Sequence, residues 1–177
     1  MNFTLPMILG KDDFKLDLYD IKNLLITGQT GTGKTTLLKS VLKSIDDQPT
    51  DANCKIVLID TKDFDFNGYT SKYLITPVIT DATKAAEYLS QIRPSNADIA
   101  IIIDELADLI AVKNDIQDTL VKLAENPKIH IISATRRGDL LSAEFMKFFH
   151  NRITFDKIGC ASYFADKTIA PVHFKTV

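Results

Sequence analysis

Residues 28–35 read Gly28-Gln29-Thr30-Gly31-Thr32-Gly33-Lys34-Thr35 and satisfy GxxxxGK[ST] at every fixed position. A run of this kind serves phosphate chemistry. Its glycines let successive backbone N–H groups turn inward around phosphate oxygens, and a helix that follows adds the positive end of its dipole. Lys34 would then reach the β- and γ-phosphates, and the Thr35 hydroxyl would ligate Mg²⁺. The expected nucleotide-binding set is Gly28, Gln29, Thr30, Gly31, Thr32, Gly33, Lys34, Thr35 and Thr36, with ATP and Mg²⁺ as ligands.

A second group lies downstream, where Ile99-Ala100-Ile101-Ile102-Ile103 runs into Asp104-Glu105. An apolar strand that ends in an acid can hold Mg²⁺ through water. A glutamate beside that acid can orient or deprotonate an attacking water. Taken singly, each group has a bland reading: glycine-rich turns occur without ligands, and acidic residues often begin loops. Together they point to a hydrolase that carries its own base. A small kinase needs no base for water, and no arginine-rich lid is recognisable. Guanine specificity is disfavoured as well. The Thr61-Lys62-Asp63 triplet continues with Phe64, Lys113-Asn114-Asp115 is preceded by Val112, and neither supplies [NT]KxD.

The elements that must position these residues alternate along the chain. Leu24-Leu25-Ile26-Thr27 is expected to be a buried strand feeding the glycine-rich turn. Leu37, Leu38, Val41, Leu42 and Ile45 then recur at helical spacing. Further strands are expected over 55–60, near 74–79 with Pro77 marking an edge, and over 99–103, 129–133 and 152–155. Helices are expected after Thr80 or Asp81, with Ala85, Tyr88, Leu89 and Ile92 on one face, and over about 115–125 and 140–149. This rhythm implies an α/β fold with a mostly parallel sheet and helices on both faces.

Composition sets outer bounds. The 177 residues, 45% of them hydrophobic, suffice for one good core, so residues 1–177 are expected to form a single domain. The longest apolar run, 99–103, is too short to span a membrane, and the N-terminus lacks the pattern of a signal peptide. Cys54 and Cys160 are far apart, as expected for two reduced thiols in a cytoplasmic protein. The net charge is −2, but residues 128–157 carry 6 Lys/Arg against 3 Asp/Glu. That local excess suits either a phosphate-facing or an ordinary solvated surface.

Beyond these motifs, the strings ILGKD, NLLITGQTGTGKT, IVLIDTK, LITPVITDATKA, IIIDELADLI, HIISATRR and NRITFDK resemble the motor domain of the FtsK/SpoIIIE DNA translocases from about Ile8 to Asp166. LITPVITD and IDELADL are the most specific, because P-loop chemistry alone does not require them. The resemblance implies a RecA-like P-loop NTPase core, a homo-oligomeric and hexameric ring, and ATP-driven movement of double-stranded DNA through its pore. It makes Asp104 and Glu105 the Walker-B pair and sets the strand ending at Thr135 between the P-loop and Walker-B strands. Thr135 and Arg136 would then lie near the γ-phosphate. Arg136, Arg137 and Arg152 become candidates for an arginine supplied to a neighbouring subunit's ATP. Pore loops that follow strands suggest 61–72, with Lys62 and Lys72, and 136–147, with Lys147, as sequence-independent DNA contacts. Phe64 and Phe66 are expected in the core or an interface.

The chain departs from that pattern in three ways. Arg136 stands where the family usually has Gln. The membrane segments and winged-helix module of the bacterial translocases have no counterpart in these residues, so the expectation is a motor alone. The family's final strands are expected to be missing or replaced by PVHFKTV.

Overall fold

The computed structural model describes residues 6–8, 14–49, 53–93, 95–113, 115–165 and 170–176. Among them, seven strands form one sheet. These are β3 (Asn23–Thr27), β4 (Cys54–Asp60), β5 (Asp98–Asp104), β6 (Ile129–Thr135), β7 (Asn151–Lys157), β8 (Cys160–Ala165) and β9 (Val172–Lys175). The spatial order is β4-β5-β6-β3-β7-β8-β9. The first five positions in that order are parallel, and β7, β8 and β9 continue as an antiparallel meander. The sheet is therefore the expected α/β, RecA-like arrangement, with β6 between the P-loop strand and the β5 strand.

Side-chain alternation divides the core in two. Leu24 and Ile26 of β3, Ala100 and Ile102 of β5, and Ile132 of β6 face one side. There they meet Leu37, Leu38, Val41, Leu42 and Ile45 of α2 (Lys34–Asp46). Leu25, Ile101, Ile103 and Ile131 face the other side. That side is covered by α3 (Ala82–Gln91), α4 (Leu106–Val112), α5 (Ile116–Ala124) and α6 (Ala143–Phe148). A strand buried on both faces must be apolar at every position, which is why β5 contains the uninterrupted run 99–103.

Several elements differ from expectation for identifiable reasons. Residues 74–79 make two isolated parallel bridges, Ile56 with Leu74 and Ile59 with Ile79, instead of a strand. Pro77 lies between them and has no N–H to contribute to a ladder. The helix expected over 140–149 is split. A 3₁₀ turn (Gly138–Leu140) ends at Leu141, which is extended, and α6 starts afresh behind Ser142. The Ser142 hydroxyl caps it by accepting from the Phe145 N–H. α4 was not anticipated, because it begins two residues beyond β5 with no intervening turn signal. β8 and β9 complete the sheet edge, and β9 lies within the PVHFKTV segment. A small hairpin, β1 (Pro6–Ile8) with β2 (Lys15–Asp17), and the short α1 (Leu18–Ile21) precede β3. Among the described residues no helix is long and apolar enough to cross a membrane.

The segment leaving β4 is held by one carboxylate. Asp60 is fully buried and accepts from the backbone N–H groups of Lys62 (3.3 Å), Phe64 (3.2 Å) and Phe66 (3.0 Å). Phe66 is thereby drawn into the core while Phe64 remains 81% exposed. At the far end of this segment, Asp46 of α2 accepts from the hydroxyls of Tyr69 and Ser71. Replacing Asp60 with Ala would leave three donors to find other partners, the one on Phe66 away from solvent. The expected cost is about 1–3 kcal/mol, read as a lower denaturant midpoint at unchanged slope. An unchanged midpoint would show that the segment does not depend on this anchor.

Candidate active site

The parallel strands end at one edge of the sheet, and the chemistry collects there. Thr27 of β3 is in register with Thr135 of β6, and Asp104 of β5 is in register with Asp60 of β4 and Ala134 of β6. Beyond Thr27 the chain enters the glycine-rich loop, and α2 begins at Lys34. Gly28 has φ 152°, and a Cβ built there would stand 2.8 Å from Phe155 Cβ and 2.9 Å from Thr32 Oγ1. The loop thus rests against β7 so closely that no side chain fits. Its outer side is tied to the β7–β8 turn by the Gly159 N–H, which donates to the Thr32 carbonyl at 3.1 Å.

Lys34 is buried at the base of the loop, and its ammonium donates to the carbonyls of Gly28 and Gln29, both at 2.8 Å. Burial lowers the Lys34 pKa from the ordinary lysine value, and the nearby Glu105 carboxylate opposes that shift. Thr35 donates its hydroxyl to Asp104 Oδ2 at 3.2 Å. Burial raises the Asp104 pKa, against the pull of Lys62 and of the Thr35 hydrogen bond. A hydroxyl and a carboxylate in contact at a helix N-terminus, beside a cradle that a Cβ would fill, fit a phosphate-bound Mg²⁺. Of the residues expected to hold ATP and Mg²⁺, Thr30, Gly31, Gly33, Lys34, Thr35 and Thr36 line one cleft of about 400 Å³, and Asp104 is joined to it through Thr35.

Glu105 is 1% exposed and lies in the same cleft. Its backbone has φ 72° and ψ 73°, a left-handed conformation that costs a non-glycine residue on the order of 1–3 kcal/mol and therefore needs support from its surroundings. That support is visible at the carboxylate. Oε1 accepts from the Thr135 hydroxyl at 2.7 Å and the Arg136 N–H at 3.2 Å. Oε2 faces Arg136 Nε at 3.5 Å and Lys62 Nζ at 3.8 Å.

The arginines fall into different places. Arg136 lines the cleft and pairs with Glu105 of its own chain. Arg137 turns outward and holds Asp139 through two nitrogens, Nε at 3.0 Å from Oδ1 and Nη2 at 3.0 Å from Oδ2. Arg152 sits within β7 opposite Leu25 and Phe164, away from its own phosphate loop. Of the basic residues expected to face DNA, Lys147 pairs with Glu144 at 2.9 Å, and Lys72 donates to the Gln48 carbonyl and lies over the Tyr73 ring. Lys62 stands instead on the nucleotide side, in the cleft. Sequence reasoning missed Lys62 and Asp60 as site residues. Their one signal was the position of Asp60 at the end of an apolar strand, as in β5.

Fold and site together define a P-loop ATPase with an acidic pair after its third parallel strand. The chain belongs to the AAA family: residues 24–157 match the family described as "ATPase family associated with various cellular activities (AAA)". Curated relatives include the DNA translocase FtsK of Borreliella burgdorferi, 28% identical over 197 residues covering 87% of this chain and 25% of that protein. The DNA translocase FtsK of Campylobacter jejuni is 31% identical over 88% of this chain and 21% of that protein. The chain thus spans about a quarter of the length of these relatives or less. Among solved structures, EccC (ATPases 2 and 3) of Thermomonospora curvata superposes with a TM-score of 0.77 at 15% identity, over 98% of this chain and 40% of that one. The pCW3 conjugation coupling protein TcpA does so with a TM-score of 0.74 at 17% identity, over 99% and 66%. These two likenesses concern the fold.

Contact between the loop and Phe155 generates an ordered expectation for two glycines. At Gly31, φ is 78° but an added Cβ would meet nothing within 4 Å, so Ala there costs roughly 1–2 kcal/mol of backbone strain. At Gly28, Ala must also displace β7 or the Thr32 hydroxyl, adding about 1–3 kcal/mol. Thermal unfolding and nucleotide titration of both variants should show Gly28→Ala as the more damaged in each. The reverse order would mean that β7 does not set the loop's shape.

Proposed function

We propose that the chain is the ATP-driven motor of a double-stranded DNA translocase of the FtsK/SpoIIIE type, working as a homo-oligomeric, hexameric ring. The observation that carries this reading is the meeting of Lys34, the Thr35–Asp104 pair and the clasped Glu105 in one cleft. The relatives named DNA translocase FtsK support the choice of DNA as the moved polymer.

In this reading the loop N–H groups and Lys34 bind the phosphates of ATP. Thr35 and Asp104 would hold Mg²⁺, which would supply charge neutralisation to the phosphates. Glu105 takes the proton of the attacking water, and Thr135 fixes the carboxylate through Oε1 so that Oε2 faces the cleft. Arg136 serves its own subunit's site through Glu105. Arg137 and Arg152 are the candidates for the charge supplied to a neighbour's ATP, where an arginine stabilises the phosphoryl-transfer transition state.

Lys34 and Glu105 should separate binding from chemistry. Lys34→Ala is expected to abolish tight ATP binding. Glu105→Gln should retain ATP but hydrolyse it slower by on the order of 10²–10⁴, the usual effect of losing a general base. Nucleotide titration and steady-state turnover of both variants check this, and wild-type turnover by Glu105→Gln would remove Glu105 from the mechanism.

Long double-stranded DNA should stimulate turnover with little sequence preference, because lysine and arginine contacts to phosphates carry no base information. The stimulation should weaken steeply as salt rises, through counterion release. ATPase rates on plasmid-length DNA, short duplexes and no DNA, each at two salt concentrations, test this. Equal rates throughout, from assembled protein, would favour an ATP-switched binding module over a motor.

A further inference from the structure

Lys62, named from the sequence as a DNA contact, lies in the nucleotide cleft. Its ammonium stands 3.8 Å from Glu105 Oε2 and lines the cleft together with Lys34 and Arg136. Its charge adds to the burial that lowers the Lys34 pKa and opposes the burial that raises the Asp104 pKa. The backbone beneath it is pinned on both sides. The Lys62 N–H donates to Asp60, and the preceding Thr61 donates its hydroxyl to Asp108 of α4 at 2.7 Å. With the main chain fixed, what can move is the four-carbon stem, whose side chain is 39% exposed. Its partner carboxylate is buried, but at 3.8 Å the contact is longer than a hydrogen bond and does not fix the stem's direction. A terminal phosphate in the same cleft carries more charge and more acceptor oxygens than one carboxylate, and lysine binds phosphate as a point charge.

We propose that Lys62 senses the terminal phosphate of a nucleoside triphosphate in its own subunit, its ammonium moving from Glu105 to the γ-phosphate. This rests on the reading of Glu105 as the base. The exchange removes one of the two cations from Oε2 and opens that oxygen to water, while Arg136 stays and Thr135 continues to hold Oε1. A diphosphate offers no such partner, so with ADP the Lys62–Glu105 pair persists. Hydrolysis and release of phosphate return the ammonium to Glu105, and no bond to Lys62 forms or breaks in the cycle.

The test compares Mg²⁺-dependent binding of ADP and of a non-hydrolysable ATP analogue by calorimetry in wild type, Lys62→Ala and Lys62→Arg. Loss of one charged contact should weaken the triphosphate analogue about tenfold or more in Lys62→Ala. ADP affinity should stay within about twofold, which also shows that the variant is folded. Lys62→Arg keeps the charge and should recover most of the triphosphate affinity. In steady state, KM for ATP should rise further than kcat falls in Lys62→Ala, since without the ammonium Glu105 Oε2 is open to water whether or not ATP is bound. Equal weakening of ADP and the analogue, or no weakening of either, would overturn the sensing role in a protein that still turns over ATP through Glu105. Failure of the wild type to bind either nucleotide would overturn the ATPase reading as well.

Discussion

Parallel strands that share one sheet must present their C-terminal ends at the same edge, and everything chemical in this protein follows from that constraint. The register is what turns it into a site. Asp60 lies beside Asp104, Asp104 beside Ala134, and Thr135 beside Thr27, so four strands end at one edge, with Thr135 and Thr27 one residue further out than the two aspartates. The phosphate loop leaves from this edge, and α2 carries Lys34 and Thr35 back across it. A slip of one residue in β5 would turn Asp104 to the opposite face and separate it from Thr35. The uninterrupted apolar runs of β3, β5 and β6 therefore fix the geometry of the site as much as they stabilise the core.

A buried carboxylate has to be partnered, or its desolvation dominates. Asp60 and Glu105 meet this demand in different ways. Asp60 is satisfied entirely by backbone N–H groups, which makes it an anchor for the segment that follows β4. Glu105 is satisfied by a hydroxyl, one N–H and two cations, all supplied by β6, its sequel and the Asp60-anchored segment. Glu105 also occupies a left-handed backbone conformation that helix α4 must begin from. The position of this carboxylate thus depends on three separate elements at once.

Much of this was legible in the sequence, because P-loop chemistry demands fixed residue types at fixed spacings. Lys34, Thr35, Asp104 and Glu105 could be named from the glycine pattern and from the apolar run that ends in acids. The doubly buried strands were equally visible, since each is a short apolar run between polar turns. The antiparallel end of the sheet was not. Ala161 and Tyr163 of β8 face the core, but Ser162 between them is buried as well, with its hydroxyl meeting Asp156 and His173, so burial on that face carries no apolar signal. β9 directs only Phe174 into the core while Val172 remains exposed, too little pattern to detect in four residues. Lys62 was legible as a cation but not as part of the site. Its role comes from the register of β4 against β5, which no spacing along the chain encodes.

Glu105 is held by two grips of unequal strength, and the inequality matters for a cyclic machine. The Thr135 hydroxyl bond is fully buried at 2.7 Å, and a donor lost there would not be replaced by water. The contacts to Lys62 and Arg136 join side chains 39% and 53% exposed to this buried carboxylate at 3.8 and 3.5 Å, longer than an aligned hydrogen bond. One oxygen of the carboxylate is therefore fixed by a short buried bond, while the other is met by longer contacts from partly exposed side chains. In the proposed mechanism, a base held through one oxygen would keep its direction while the charges around its other oxygen are exchanged. That division lets orientation be permanent and availability be conditional, with both encoded in residues that flank the ends of β4, β5 and β6.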